Sequence, residues 1–202
     1  KQWYQQHRDG DLRLTFLPAQ HWSKRSVRDG GQRLWGAFML QGNGVSLYYS
    51  GDTGYSTHFR EIPDLFGAPD YALLGIGAYK PRWFMRPNHI SPYESLTASE
   101  EMHAGITIPM HYGTFDLSDE PLHDPPKVFA AEAKKRMLDL VANLRISLGE
   151  RIANLAWMGP ETKAKAQAEA NKELSASITD ELIKMKEAEA HYKNGWVTVQ
   201  GA

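Results

Sequence analysis

The 202-residue sequence has no cysteine. Disulfides and thiolate metal sites are therefore excluded, and histidine, aspartate and glutamate remain as the strong metal ligands. A reducing compartment is compatible with that absence. Long hydrophobic runs are missing too: nothing approaches the roughly 18 to 20 apolar residues that a membrane span needs. The opening Lys1-Gln2-Trp3-Tyr4-Gln5-Gln6 lacks the apolar segment of a signal peptide. The expected setting is cytoplasmic or peripheral to a membrane. An excess of one charge is also lacking, because 23 basic and 24 acidic residues leave a net charge of −1. With no global field to draw a polyanion, nucleic acid is not an expected partner. What is present, 42% hydrophobic and 11% aromatic residues, is enough for a core in one or at most two domains.

One stretch organises the rest. Leu47-Tyr48-Tyr49-Ser50 reads as a buried strand, and Gly51-Asp52-Thr53-Gly54 as a glycine-flanked turn that presents a single carboxylate. Two other apolar runs end in one histidine each, Leu14 to His21 and Ile106 to His111. Strand ends carrying His, Asp and His suggest one metal site. Read singly, each is an ordinary polar loop residue.

Along the chain, Arg8-Asp9-Gly10-Asp11 marks a hairpin turn into a strand over residues 12–17. Ser23 to Gly31 is a loop with three basic residues, either a solvated surface or an electropositive rim for a phosphate. Strands over 34–40 and 45–50 flank the hairpin signal Asn43-Gly44. A short helix is expected over 57–66, a strand over 71–76 and a helix over 92–104 with Glu94, Glu100 and Glu101 outward. A strand follows over 106–110 and an amphipathic helix over 127–141, with 143–152 as a short closing strand. Residues 160–192 read as two helices interrupted at Ser175 to Ser177, with Leu174, Ile178, Leu182 and Met185 at helical spacing. His58, His103, His123 and His191 match no motif and are expected at the surface.

Four motifs in order carry a resemblance: Pro18-Ala19-Gln20-His21-Trp22, Ser50-Gly51-Asp52-Thr53-Gly54-Tyr55, Ile76-Gly77-Ala78-Tyr79-Lys80-Pro81-Arg82-Trp83-Phe84-Met85, and His111-Tyr112-Gly113-Thr114-Phe115. Together they resemble the metallo-β-lactamase fold, and within it the N-acylphosphatidylethanolamine-hydrolysing phospholipase D branch. The resemblance implies an α/β fold, the C-terminal half of an αββα sandwich over residues 1–153, followed by an appended helical extension over 154–202. It implies two zinc ions acting as Lewis acids, with His21 on the first, Asp52 bridging both and His111 on the second. Asp52 and His89 would be the catalytic residues, and Tyr79, Arg82, Trp83, Asn88 and His89 would contact substrate, an N-acylated phospholipid or another phosphodiester. The family's His-x-His-x-Asp-His motif is not found in this sequence. The chain therefore reads as a C-terminal portion or a degenerate relative, expected to associate with itself and to be silent on its own. A lactonase or general phosphodiesterase, or a non-catalytic half-domain whose helical tail binds a partner, remain the alternatives.

The stretch Arg151 to Ala166 resembles a helical segment of neprilysin-family metallopeptidases. Without a His-Glu-x-x-His motif it implies no peptidase chemistry.

Overall fold

The computed structural model describes residues 2–194, and for residues 178–194 the backbone alone. Six strands form one sheet in sequence order: β1 (Gln6–Asp9), β2 (Leu12–Leu17), β3 (Ala37–Gly42), β4 (Val45–Tyr49), β5 (Tyr71–Gly75) and β6 (Ile106–Met110). β1 to β4 pair antiparallel, whereas β4, β5 and β6 run parallel. Both hairpins fall where the turn residues predict. Gly10 takes φ +55°, and Asn43 and Gly44 take +50° and +75°, the left-handed pair that a two-residue hairpin requires.

Side chains alternate along these strands, so each strand contributes one residue in two to a given face. Leu17, Ala37, Met39, Tyr48, Ala72 and Leu74 share the face that packs against helices α1 (Ile62–Phe66) and α3 (Pro92–Glu101) and a 3-10 turn at Thr57–Phe59. Phe59, Ile62, Ile90, Ala98 and Met102 complete this core. A four-residue helix, α2 (Arg82–Met85), lies between β5 and α3. Ser91 starts α3 with a capping box, its hydroxyl accepting from the Glu94 amide while the Glu94 carboxylate accepts from the Ser91 amide at 2.9 Å. The Ser-x-x-Glu spacing is visible in the sequence.

Several expectations need correction. Residues 57–66 are two pieces, because Ile62-Pro63 begins a new helix with proline in its first turn, where no amide is needed. Glu94 and Glu101 do not simply face solvent: Glu94 binds Arg82 at 2.7 Å, and Glu101 accepts from Tyr55 Oη at 2.6 Å and Arg60 Nε at 2.7 Å. Residues 143–152 are not a closing strand but the second half of helix α4 (Asp124–Ala153). The alternation Leu144, Ile146, Leu148 suits a strand, yet the flanking helix formers continue the helical register without a break. Helix α5 (Pro160–Asn194) is likewise one helix and not two. Ser175 and Ser177 do not interrupt it, since their hydroxyls bond back to the carbonyls of Asn171 and Glu173 at 2.8 and 3.1 Å. Ile178, Leu182, Met185 and His191 lie outside the described side chains. The chain forms two compact units, Lys1–Lys134 and Lys135–Ala202. In the second unit Arg145 Nη2 donates to Ser175 Oγ at 2.7 Å.

His58 is enclosed rather than at the surface. Its ring packs 4.0 Å from the Phe59 ring, Nδ1 bonds Ser56 Oγ at 2.6 Å, and Nε2 is buried without a partner. Burial lowers its pKa to about 4. The unfolded chain takes up a proton near pH 6.5 while the folded one resists until about 4, so stability falls as pH drops through that window. A loss of about 3 kcal/mol is expected between pH 7 and 4 from this residue. Urea titrations of the parent and His58→Gln should show the variant with the shallower acid dependence.

Candidate metal centre

Because β3 alone reverses direction between β2 and the parallel run, the C-terminal ends of β2, β4, β5 and β6 all lie at one edge of the sheet. His21 follows β2, Asp52 follows β4, His89 lies in the connection after β5, and His111 follows β6. Loops at this edge are the usual seat of ligand groups in open α/β sheets. Sequence distance is thereby removed: one ligand atom from each of His21, Asp52 and His89 lies within 4.8 Å of the other two. His111 Nε2 stands 3.3 Å from Asp52 Oδ1, and the His111 and His89 rings stack at 5.2 Å.

Main-chain bonds fasten the loops at their roots. The Gly54 amide donates to the Gln20 carbonyl at 2.7 Å, and the Gln20 amide to Thr53 Oγ1 at 2.9 Å. Gln20 Nε2 donates to the Pro87 carbonyl at 2.8 Å, and the Ile90 amide to the Thr53 carbonyl at 2.8 Å. Gly54 has to be glycine here, since a Cβ would overlap the Pro87 carbonyl. Gln20 was not singled out by sequence; its one signal is adjacency to His21.

Each donor is tuned by its surroundings. His21 Nδ1 lies 2.8 Å from the Trp22 carbonyl, which can only accept, so Nδ1 carries the proton and Nε2 keeps a free lone pair. That Nε2 is buried and has no hydrogen-bond partner. Burial, with help from the neighbouring His111, lowers the His89 pKa to about 4 and leaves a neutral imidazole. Asp52 is held below the usual carboxylate range, first by its hydrogen bond with His111 and against the opposing effect of burial. The same bond raises His111. His111 also takes φ +61°, the left-handed region that a non-glycine residue enters at a cost. Two lone-pair imidazoles, an ionised carboxylate and a third imidazole beside it suit a divalent ion of borderline softness. The residues present fit a metal.

The other expected site residues are distributed differently. Tyr79 is buried, its hydroxyl donating to Asp124 Oδ2 at 2.9 Å and its amide to Glu120 Oε1 at 3.1 Å. It ties the loop after β5 to the start of α4. Arg82 is committed to Glu94 at 2.7 Å and to the His89 carbonyl at 3.0 Å, which makes it a positioning residue for His89. Trp83 is 83% exposed. Asn88 is half-buried, with its amide bonded to the Met85 carbonyl at 3.0 Å. A cavity of about 310 Å³ opens beside His111, walled by Phe115, Leu117 and Leu122 with Gly77 and Ala78.

Among the relatives that the chain resembles is a UPF0173 metal-dependent hydrolase of Methanopyrus kandleri, 35% identical over 132 residues, covering 64% of this chain and 51% of that protein. Residues 2–112 match the Beta-lactamase superfamily domain, more than half of the chain, and the chain belongs to that family. Residues 126–172 match Peptidase family M13. Over 135 residues the chain is 33% identical to N-acyl-phosphatidylethanolamine-hydrolyzing phospholipase D 1 of Caenorhabditis elegans, covering 66% of this chain and 37% of that protein. It is 41% identical over 116 residues to the mitochondrial N-acyl-phosphatidylethanolamine-hydrolyzing phospholipase D of Saccharomyces cerevisiae, covering 55% of this chain and 25% of that protein. Igni18, a metallo hydrolase from the hyperthermophilic archaeon Ignicoccus hospitalis, is a structural neighbour with a TM-score of 0.47 and 24% identity, covering 62% of this chain and 46% of that one. The chain thus spans well under half the length of the two phospholipase D relatives.

Proposed function

We propose that this chain carries one side of a dinuclear zinc centre in a phosphodiesterase that cleaves the phosphate to head-group bond of N-acylated phospholipids. The observation that carries the reading is the convergence of His21, Asp52, His89 and His111 at one sheet edge. His21 and Asp52 would hold the first ion, and Asp52 and His111 the second. Zinc, when bound, supplies Lewis-acid polarisation of a phosphoryl oxygen and of water. His89, neutral and backed by Arg82, is placed to donate a hydrogen bond to a phosphate oxygen or to carry a proton at the leaving oxygen. Trp22, Trp83, Phe84 and Phe115 are 50%, 83%, 61% and 73% exposed on the segments that follow β2, β5 and β6, which supports contact with a lipid surface. Among the described residues no helix is long and apolar enough to cross a membrane.

Three ligand side chains, His21, Asp52 and His111, fall short of the roughly six or seven that two catalytic zinc ions need. The 202-residue chain is therefore expected to take up zinc in equilibrium dialysis but to hydrolyse a chromogenic phosphodiester at the background rate. Absence of zinc uptake would remove the metal reading. Turnover that vanishes in His21→Ala would instead show that these three ligands suffice.

A further inference from the structure

Glu120 is a buried carboxylate that the proposed chemistry does not use. It is 5% exposed, and a charged group so enclosed is tolerated only where hydrogen bonds replace its lost hydration. Both oxygens are taken up by one turn of main chain: Oε1 accepts from the Tyr79 amide at 3.1 Å and Oε2 from the Lys80 amide at 2.8 Å. The Asp119 amide donates in return to the Lys80 carbonyl at 3.2 Å. Successive amides aimed at one anion form a nest, and the anion fixes the direction of both peptides. Glutamine cannot do the same, since its side chain offers one acceptor oxygen and would turn an NH₂ group toward the second amide.

The turn that Glu120 holds begins at Gly77 and Ala78, directly against His111. Gly77 lies so close that a Cβ there would overlap the His111 carbonyl oxygen. With His111 Nε2 facing Asp52, the other ring nitrogen is left to the main chain. Hydrogen bonding with the Gly77 backbone helps to raise the His111 pKa, as a carbonyl that accepts from the ring does. Ala78 takes φ +55° and His111 φ +61°, left-handed conformations that persist in non-glycine residues only when their surroundings hold them. On the Ala78 side the hold is the pair of bonds from the next two amides to Glu120.

We infer that Glu120 is a positioning residue for His111: by holding the turn from Gly77 to Lys80 it keeps the Gly77 carbonyl on the His111 ring and so aims Nε2 at Asp52. The inference rests on the reading of His111 as a metal ligand, but its first readout needs no metal. In the metal-free full chain, Glu120→Gln should displace the His111 ring resonances and leave those of His58 in place. Zinc affinity, measured by competition with a chelator, should fall at least about tenfold, the range for groups that orient a ligand from behind. Asp124→Asn is the control for loosening alone. It weakens the Tyr79 hydroxyl bond and the Lys80 ion pair on the same turn while both Glu120 bonds remain, and it should bind zinc as the parent does. If Glu120→Gln does not fold, hydrogen exchange of the parent decides: the Tyr79 and Lys80 amides and the His111 ring N–H should open as one unit with common protection. Displaced ring resonances with unchanged zinc affinity would support the positioning and remove His111 from the ligand set. Unmoved His111 resonances, equal losses of zinc affinity in Glu120→Gln and Asp124→Asn, or a His111 ring proton that exchanges independently of the two amides overturns the inference.

Discussion

Asp52→Asn should weaken zinc binding by about 100-fold or more while the protein melts within a few degrees of the parent. Groups that merely support a ligand typically account for 10- to 100-fold in metal affinity, so removing the charge of a direct ligand should exceed that range. Stability is a separate matter, because the Asp52 side chain is 46% exposed and contributes nothing to the core. Its ion pair with His111 has a defined pH window. The Asp52 contribution is present above its unfolded pKa and is lost as acid titrates the carboxylate below that value. The His111 contribution is fully present below its unfolded pKa and is lost as pH rises through the elevated folded value. Between those limits the metal-free pair is intact, and zinc has to displace the His111 proton. Parent zinc affinity should therefore climb with pH through the His111 titration, and Asp52→Asn should flatten that climb. Isothermal titration calorimetry at several pH values, in buffers of different ionisation enthalpy, measures both effects; a variant that binds as tightly as the parent would exclude Asp52 as a ligand.

Gly77→Ala should be the most damaging single-methyl addition near the site, costing about 3 kcal/mol or more in stability. The added Cβ would overlap the His111 carbonyl oxygen and lie 3.2 Å from Tyr112 Cα. Those are backbone atoms, which cannot swing aside as the tip of a side chain could. Nor can the strand end retreat cheaply, because the Ile76 amide bonds the Met110 carbonyl at 3.0 Å immediately before the contact. Relief must then come from moving His111, already at φ +61°, away from Asp52. Chemical denaturation should show the stability loss, and the His111 ring resonance should lose its dependence on Asp52. Gly113→Ala is the comparator: its Cβ would meet nothing within 4 Å, although its own φ of +78° adds a smaller backbone cost.

The turn glycines, the alternation along β2 to β4 and the apolar run of β5 are local signals, and each marked its element in the sequence. The convergence of His21, Asp52 and His111 was suggested by three strand ends of one kind together with the motif resemblance, whereas their actual proximity depends on the sheet order. Other features were not local. Arg82 and Tyr79 read as pocket residues because they border the site in sequence, yet a carboxylate elsewhere in the fold claims each of them: Glu94 for Arg82, Asp124 for Tyr79. His58 gave no sign of burial, since enclosure by Phe59 and Ser56 arises from the 3-10 turn packing under the sheet. Residues 143–152 offered a strand-like alternation that lost to the helical register entering from Lys127 onward.

The fastening of the loops at Gln20, Thr53, Gly54 and Pro87 bears on how such a protein can diversify. Six of the groups in that stitching are peptide amides or carbonyls, and only Gln20 Nε2 and Thr53 Oγ1 belong to side chains. Backbone atoms survive most substitutions. A lineage can therefore rewrite the exposed tips, such as Val27, Trp83 and Phe115, and so explore new substrates, while the donor atoms keep their mutual distances through the change.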